Sequence, residues 1–99
     1  MAGPRVFVVS GGMGESGDQL ARTALAQYPD IDAPIEILRM VQTRDAVDEA
    51  VVRAADGRGF IIHTLVDPDL RNYLIEQSAA RGVAEFDMIG PVFDLSLIH

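Results

Sequence analysis

Arg5-Val-Phe-Val-Val-Ser-Gly-Gly-Met-Gly-Glu-Ser16 is the stretch on which the fold turns. Its first half is apolar and rich in β-branched residues, which suits a strand covered on both faces. Three glycines then break the strand. Ser16 and Gln19 follow at capping-box spacing, so the first helix is expected to begin near Ser16. A buried strand, a glycine turn and an amphipathic helix are the opening of a parallel βαβ unit.

The rest of the chain repeats that alternation. Leu20, Ala24, Leu25 and Tyr28 recur at helical spacing, and Pro29-Asp30 ends the first helix. A second strand is expected over Ile35 to Met40. Thr43 caps a second helix, with Asp45 in its first turn and Val47, Ala50, Val51 and Ala54 facing inward. Gly57 and Gly59 stop it. Phe60 to Leu65 reads as a third strand. Asp67-Pro68 is an N-cap followed by proline at the first helical position. Leu70, Tyr73, Leu74 and Ser78 give the third helix its inward stripe, and Gly82 ends it. Val83 to Ile89 is the fourth strand, and Gly90-Pro91 is placed to open a last short helix. The expected architecture is a three-layer α/β/α sandwich, Rossmann-like, with a small parallel sheet in the order 2-1-3-4.

Composition narrows function more by exclusion than by indication. Ninety-nine residues make one small domain, either complete, or the first part of something longer or half of a dimer. The absence of cysteine removes disulfides, thiolate metal sites and cysteine nucleophiles. A net charge of −7 disfavours nucleic acid and anionic lipid as partners. All 8 basic residues are arginine, so a Walker A loop and a Schiff-base lysine are both impossible within this chain. No apolar run approaches the ~20 residues of a membrane span, and no secretory signal opens the chain. The expected location is cytoplasmic.

In an open parallel sheet, ligands bind beyond the carboxyl ends of the strands where the strand order reverses. Here that crevice falls between the first and third strands. Two loops meet there, Ser10 to Ser16 and Thr64 to Asp67. Ser10, Gly12, Gly14, Glu15 and Ser16 form one candidate wall. Its glycines allow close backbone approach, and a helix N-terminus offers unpaired amides. Glu15 opposes a tight phosphate site by placing negative charge at the same mouth. Thr64 and Asp67 form the other wall, Asp67 also being the expected cap of the third helix. His63, inside a strand, reads as a packed core side chain. No metal site is expected, because neither histidine has a partner at ligand spacing. A receiver domain is rejected for lack of an acidic pair after the first strand and of any lysine. A flavin site is disfavoured because no aromatic residue falls in a switch-point loop.

Three segments carry a resemblance. Val8-Val-Ser-Gly-Gly-Met-Gly-Glu-Ser16 resembles the V-S-D-x-T-G-E-T opening of the pyruvate, phosphate dikinase and phosphoenolpyruvate synthase regulatory proteins. Thr64-Leu-Val-Asp-Pro-Asp-Leu-Arg71 is similar to their T-L-V-D-P-x-L-R, and Phe86-Asp-Met-Ile-Gly-Pro91 to their D-L-L-G-P. Ala24-Leu-Ala-Gln-Tyr-Pro29 fits the end of their first helix. The likeness runs in order along nearly the whole chain.

The resemblance implies a bifunctional serine/threonine kinase and phosphorylase. Such proteins use ADP to phosphorylate a threonine of the dikinase or synthase, and use phosphate to reverse it. Their P-loop lies in a C-terminal domain, so this chain corresponds to the N-terminal domain and is expected to be inactive alone. ADP and phosphate are then cofactors of the full-length protein, with none expected in this chain. The implied partners are the dikinase or the synthase and the missing domain. Two departures stand out: Gly11 replaces the family's aspartate and Met13 its threonine. Two further readings stay open. One is a standalone small-anion or nucleotide-binding module. The other is a non-catalytic docking domain, dimerising through an apolar tail of Val92, Phe93, Leu95, Leu97 and Ile98.

Overall fold

A computed structural model describes residues 5–30 and 32–89. Four strands, β1 (Val6–Val9), β2 (Ile35–Leu38), β3 (Phe60–His63) and β4 (Glu85–Asp87), alternate with three helices, α1 (Glu15–Ala26), α2 (Arg44–Asp56) and α3 (Pro68–Ala80). All strand pairs are parallel, in the order β2-β1-β3-β4. This is the expected small α/β sandwich. The helix expected from Gly90-Pro91 and the apolar tail lie outside the described residues.

The sheet divides the core in two. Phe7, Val9 and Ile61 face α2 and α3, packing with Val47, Val51, Ala54 and Leu74. Val6, Val8 and Ile62 face α1 through Ala21, with Leu25 partly buried beside them. Every residue of β1 is buried, as a central strand covered on both faces requires.

The first helix differs from its expected form. It starts at Glu15 with Gly14 as the N-cap, and no side chain caps it. Gly14 has φ +82°, the left-handed region that glycine reaches without strain. Ser16 and Gln19 are both exposed and form no capping box. The buried face is also shifted. Leu20 and Tyr28 are exposed, whereas Gly17 and Ala21 are buried. The reason is distance: a Cβ on Gly17 would lie 2.6 Å from Val8 Cγ1. Small residues let α1 sit close to β1, which large apolar residues on that face would prevent.

The second and third helices follow their signals. Thr43 Oγ1 accepts the Ala46 N–H at 3.1 Å. Asp67 Oδ1 accepts the Asp69 N–H at 2.9 Å, with Pro68 opening α3. The two helices are tied by the Tyr73 hydroxyl, which donates to Asp48 Oδ1 at 2.7 Å. Arg44 lies over the same ring, 4.6 Å from its centroid. That hydrogen bond to Asp48, with smaller help from desolvation, raises the Tyr73 pKa.

The strands are shorter than the apolar runs suggested. β4 spans Glu85–Asp87 rather than Val83 to Ile89, because a parallel ladder ends where the neighbouring strand β3 ends. Among the described residues, no helix is long and apolar enough to cross a membrane.

Candidate functional site

Strand order reverses between β1 and β3, and the loops leaving their carboxyl ends frame a cleft there. Ser10, Gly12, Gly14, Glu15, Ser16 and Thr64 all line one cavity of about 430 Å³, together with Met13, Val66 and Ile89. Asp67 lines an adjoining cavity of about 330 Å³, which shares Gly12, Thr64 and Val66 with the first. The sequence-derived candidates are therefore brought together at one mouth.

The glycine loop is held by its own backbone and by a third loop. Ser10 is buried, and its Oγ accepts the Gly12 N–H at 3.1 Å. Ser10 N–H donates to the Leu38 carbonyl at 3.0 Å, and Val41 N–H donates to the Ser10 carbonyl at 2.9 Å. Met40 N–H reaches the Gly12 carbonyl at 2.9 Å. Gln42 Nε2 donates to the Gly11 carbonyl at 2.8 Å. The carbonyls of Ser10, Gly11 and Gly12 are thus all engaged from the β2–α2 connection. Met40 makes its bond from the left-handed region, with φ 57°. Non-glycine residues rarely sit there, so the tertiary structure holds this turn against its local preference.

On the cleft side the loop presents donors. The first bond of α1 runs from Asp18 N–H to the Gly14 carbonyl at 2.9 Å. The amides of Glu15, Ser16 and Gly17 precede it and point out of the helix N-terminus. Opposite them stands Thr64, half-buried, its own N–H bonded to the Val9 carbonyl at 3.0 Å.

The charge of the mouth runs the other way. Among the described residues, neither arginine nor lysine lines either cavity, whereas Glu15 lines one and Asp67 the other. Asp67 is already committed to capping α3. Among the described residues, a phosphate here would meet amides and hydroxyls but also two carboxylates and no cation. Among the described residues, no cluster of three or more histidine, aspartate or glutamate side chains is placed to hold a metal.

Met13, Val66 and Ile89, which form apolar walls, were not among the candidates from sequence. Met13 and Val66 are 61% and 65% exposed, so nothing in hydrophobic periodicity marks them. Gln42 was missed as well. Its contact spans 31 positions and leaves no local signature. His63 is fully buried, and its Nε2 lies 2.8 Å from Glu85 Oε1.

Fold and site together define a parallel α/β domain with a switch-point cleft built from a glycine loop and a strand-end threonine. The chain belongs to the kinase/pyrophosphorylase family, whose pattern matches residues 6–96. It is 42% identical over 89 residues to proteins of two strains of Chloroflexus aurantiacus, J-10-fl and Y-400-fl. Both carry the provisional name of pyruvate, phosphate dikinase regulatory protein. The match covers 90% of this chain and 32% of each relative, so the chain spans about a third of their length. The resemblance drawn from the three sequence motifs is borne out.

Proposed function

We propose that this chain forms the N-terminal, target-docking half of a regulatory protein that acts on pyruvate, phosphate dikinase or phosphoenolpyruvate synthase. The whole protein would carry out ADP-dependent phosphorylation of a target threonine and its phosphate-dependent reversal. In this reading the nucleotide and phosphate are held by the C-terminal P-loop domain. The present half supplies one wall of the interdomain cleft, using Ser10, Gly12, Gly14, Glu15, Ser16, Thr64 and Asp67. The observation that carries it is the family match over residues 6–96, combined with convergence of its three motif segments at one cleft.

The charge of the cleft favours docking over small-anion binding by this half alone. Two carboxylates and no cation at the mouth make a poor phosphate site, but they suit a hydroxyl-bearing segment of a protein target. The test joins this chain to the C-terminal two-thirds of the Chloroflexus aurantiacus relative and supplies ADP and a dikinase. Threonine phosphorylation that depends on ADP supports the assignment. A folded chimera that phosphorylates nothing, when the intact relative does so in the same assay, refutes it. A thermal-shift titration of this chain with phosphate, ADP and AMP separates the two roles. Docking predicts no saturable shift. A saturating one, near 2.7 kcal/mol at about a hundredfold excess over Kd, moves the reading to an anion-binding module.

A further inference from the structure

The strongest feature outside the cleft's own loops lies under β4. This strand is three residues long and, among the described residues, stands at the edge of the sheet beside β3. On the α1 side, Phe86 is 51% exposed and meets Phe60 edge to face, with centroids 5.6 Å apart. On the α3 side, Glu85 and Asp87 are in register with Ile61 and His63. There, beyond the backbone ladder to β3, the strand's side chains make polar contacts rather than apolar ones. Glu85 Oε1 reaches the fully buried His63 Nε2 at 2.8 Å, and Asp87 Oδ2 lies 3.5 Å from Arg71 Nη1 of α3.

These contacts are an odd choice for stability alone. His63 Nδ1, Arg71 Nε and Ser78 Oγ are buried without a hydrogen-bond partner among the described residues. Buried polar groups left unpaired weaken an element, so these contacts are not the most stabilising way to hold the strand. The network does carry position. Asp87 Oδ1 accepts the Ile89 N–H at 3.0 Å, and Ile89 is a wall of the cleft. Arg71 ends the Thr64–Arg71 motif and Asp87 sits in the Phe86–Pro91 motif, so their contact ties together two segments that both contribute walls to the cleft.

We propose that β4 is a releasable wall of the cleft, latched by the His63–Glu85 pair and, at its cleft end, by the Arg71–Asp87–Ile89 relay. Nε2 faces a carboxylate and carries the proton, so Glu85 acts as an acceptor. Release of the latch removes Ile89 from the cleft and widens the mouth without disturbing β1 or α1. The inference takes the cleft as the site. It is read without any ligand, so its failure is distinct from failure of the regulatory assignment.

Hydrogen exchange followed by mass spectrometry tests it on the chain as it is. In the unaltered protein, amides of residues 84–89 are expected to exchange at least tenfold faster than those of β1, because they open locally. Arg71→Gln, at a partly exposed position, is expected to speed exchange over residues 86–89 about tenfold with β1 and β2 unchanged. Glu85→Ala is expected to do so over residues 84–89. Glu85→Gln, whose amide oxygen still accepts from Nε2, is expected to restore protection. Equal protection of β4 and β1 overturns the proposal. So does a rise in exchange shared by β1 and β2, or a Glu85→Gln variant indistinguishable from Glu85→Ala.

Discussion

Replacing Gly14 by alanine tests whether the glycine loop is built as the structure shows. Two costs add. Alanine in the left-handed region costs about 1–2 kcal/mol relative to its preferred backbone. Its Cβ would lie 2.5 Å from Ile37 Cγ2, a branch methyl tied closely to the β2 backbone. Relieving such an overlap costs about 1–3 kcal/mol. Against these, alanine restricts the unfolded chain and returns about 0.4–1 kcal/mol. The net expectation is a loss of about 1–5 kcal/mol, a large share of the ~5–15 kcal/mol that holds a domain folded. Gly12→Ala is the internal control. Its φ is not positive, and its Cβ would meet nothing nearer than Ser10 Oγ at 4.0 Å. It is expected to fall within about 0.5 kcal/mol of the parent. Urea denaturation followed by circular dichroism measures both, with unchanged m values confirming a common unfolding reaction. A Gly14→Ala protein as stable as the parent would refute the reasoning. So would a Gly12→Ala protein destabilised to the same degree.

Three further outcomes follow from the packing. Gly17→Ala is expected to destabilise by about 1 kcal/mol, since overlap with Val8 Cγ1 at 2.6 Å outweighs the helix-propensity gain; a higher melting temperature would show that α1 can lift away cheaply. Asp67→Ala removes the cap on the Asp69 N–H and is expected to cost about 1 kcal/mol, lowering Tm by about 4–8 °C. An unchanged Tm would mean that water replaces the cap without loss. The raised pKa of Tyr73 implies an alkaline weakness. Once pH passes the ordinary tyrosine value of 10.0, the unfolded chain releases the phenolic proton while the folded chain retains it, so stability falls with rising pH until the folded phenol also ionises. Tyr73→Phe is expected to flatten that slope in denaturation midpoints taken on either side of the value. An equally steep slope in the variant would place its origin elsewhere.

The regulatory reading and the cleft's charge point the same way. In this chain Gly11 and Met13 stand where the resembled motif has an aspartate and a threonine. Gly11 now serves through its carbonyl, as the acceptor for Gln42. Met13 lines the mouth as an exposed apolar side chain. A mouth with apolar walls, open donors and net negative charge is consistent with the proposed docking of a polypeptide.

Local chemistry was enough to announce the alternation of strands and helices. Asp67-Pro68 and Thr43 act on amides two or three residues away, so their signals survive without any tertiary context. The same holds for the β1 run, whose unbroken burial follows from its unbroken apolarity. The strand order expected for such an alternation is the one observed, and with it the place of the cleft. What the tertiary structure alone decided involves distance. Gly17 is buried because α1 must approach β1, a demand that displaced Leu20 and Tyr28 from the face that periodicity assigned them. Gly14, not Ser16, is the N-cap of α1 because the chain leaving β1 turns through the left-handed region beside Ile37. Gln42, Met40 and Ile89 reach the site across long stretches of chain, and His63 meets Glu85 from 22 positions away. Propensity and capping act within a few residues. Contacts such as these exist only after the sheet has brought its strands together, so no local pattern encodes them.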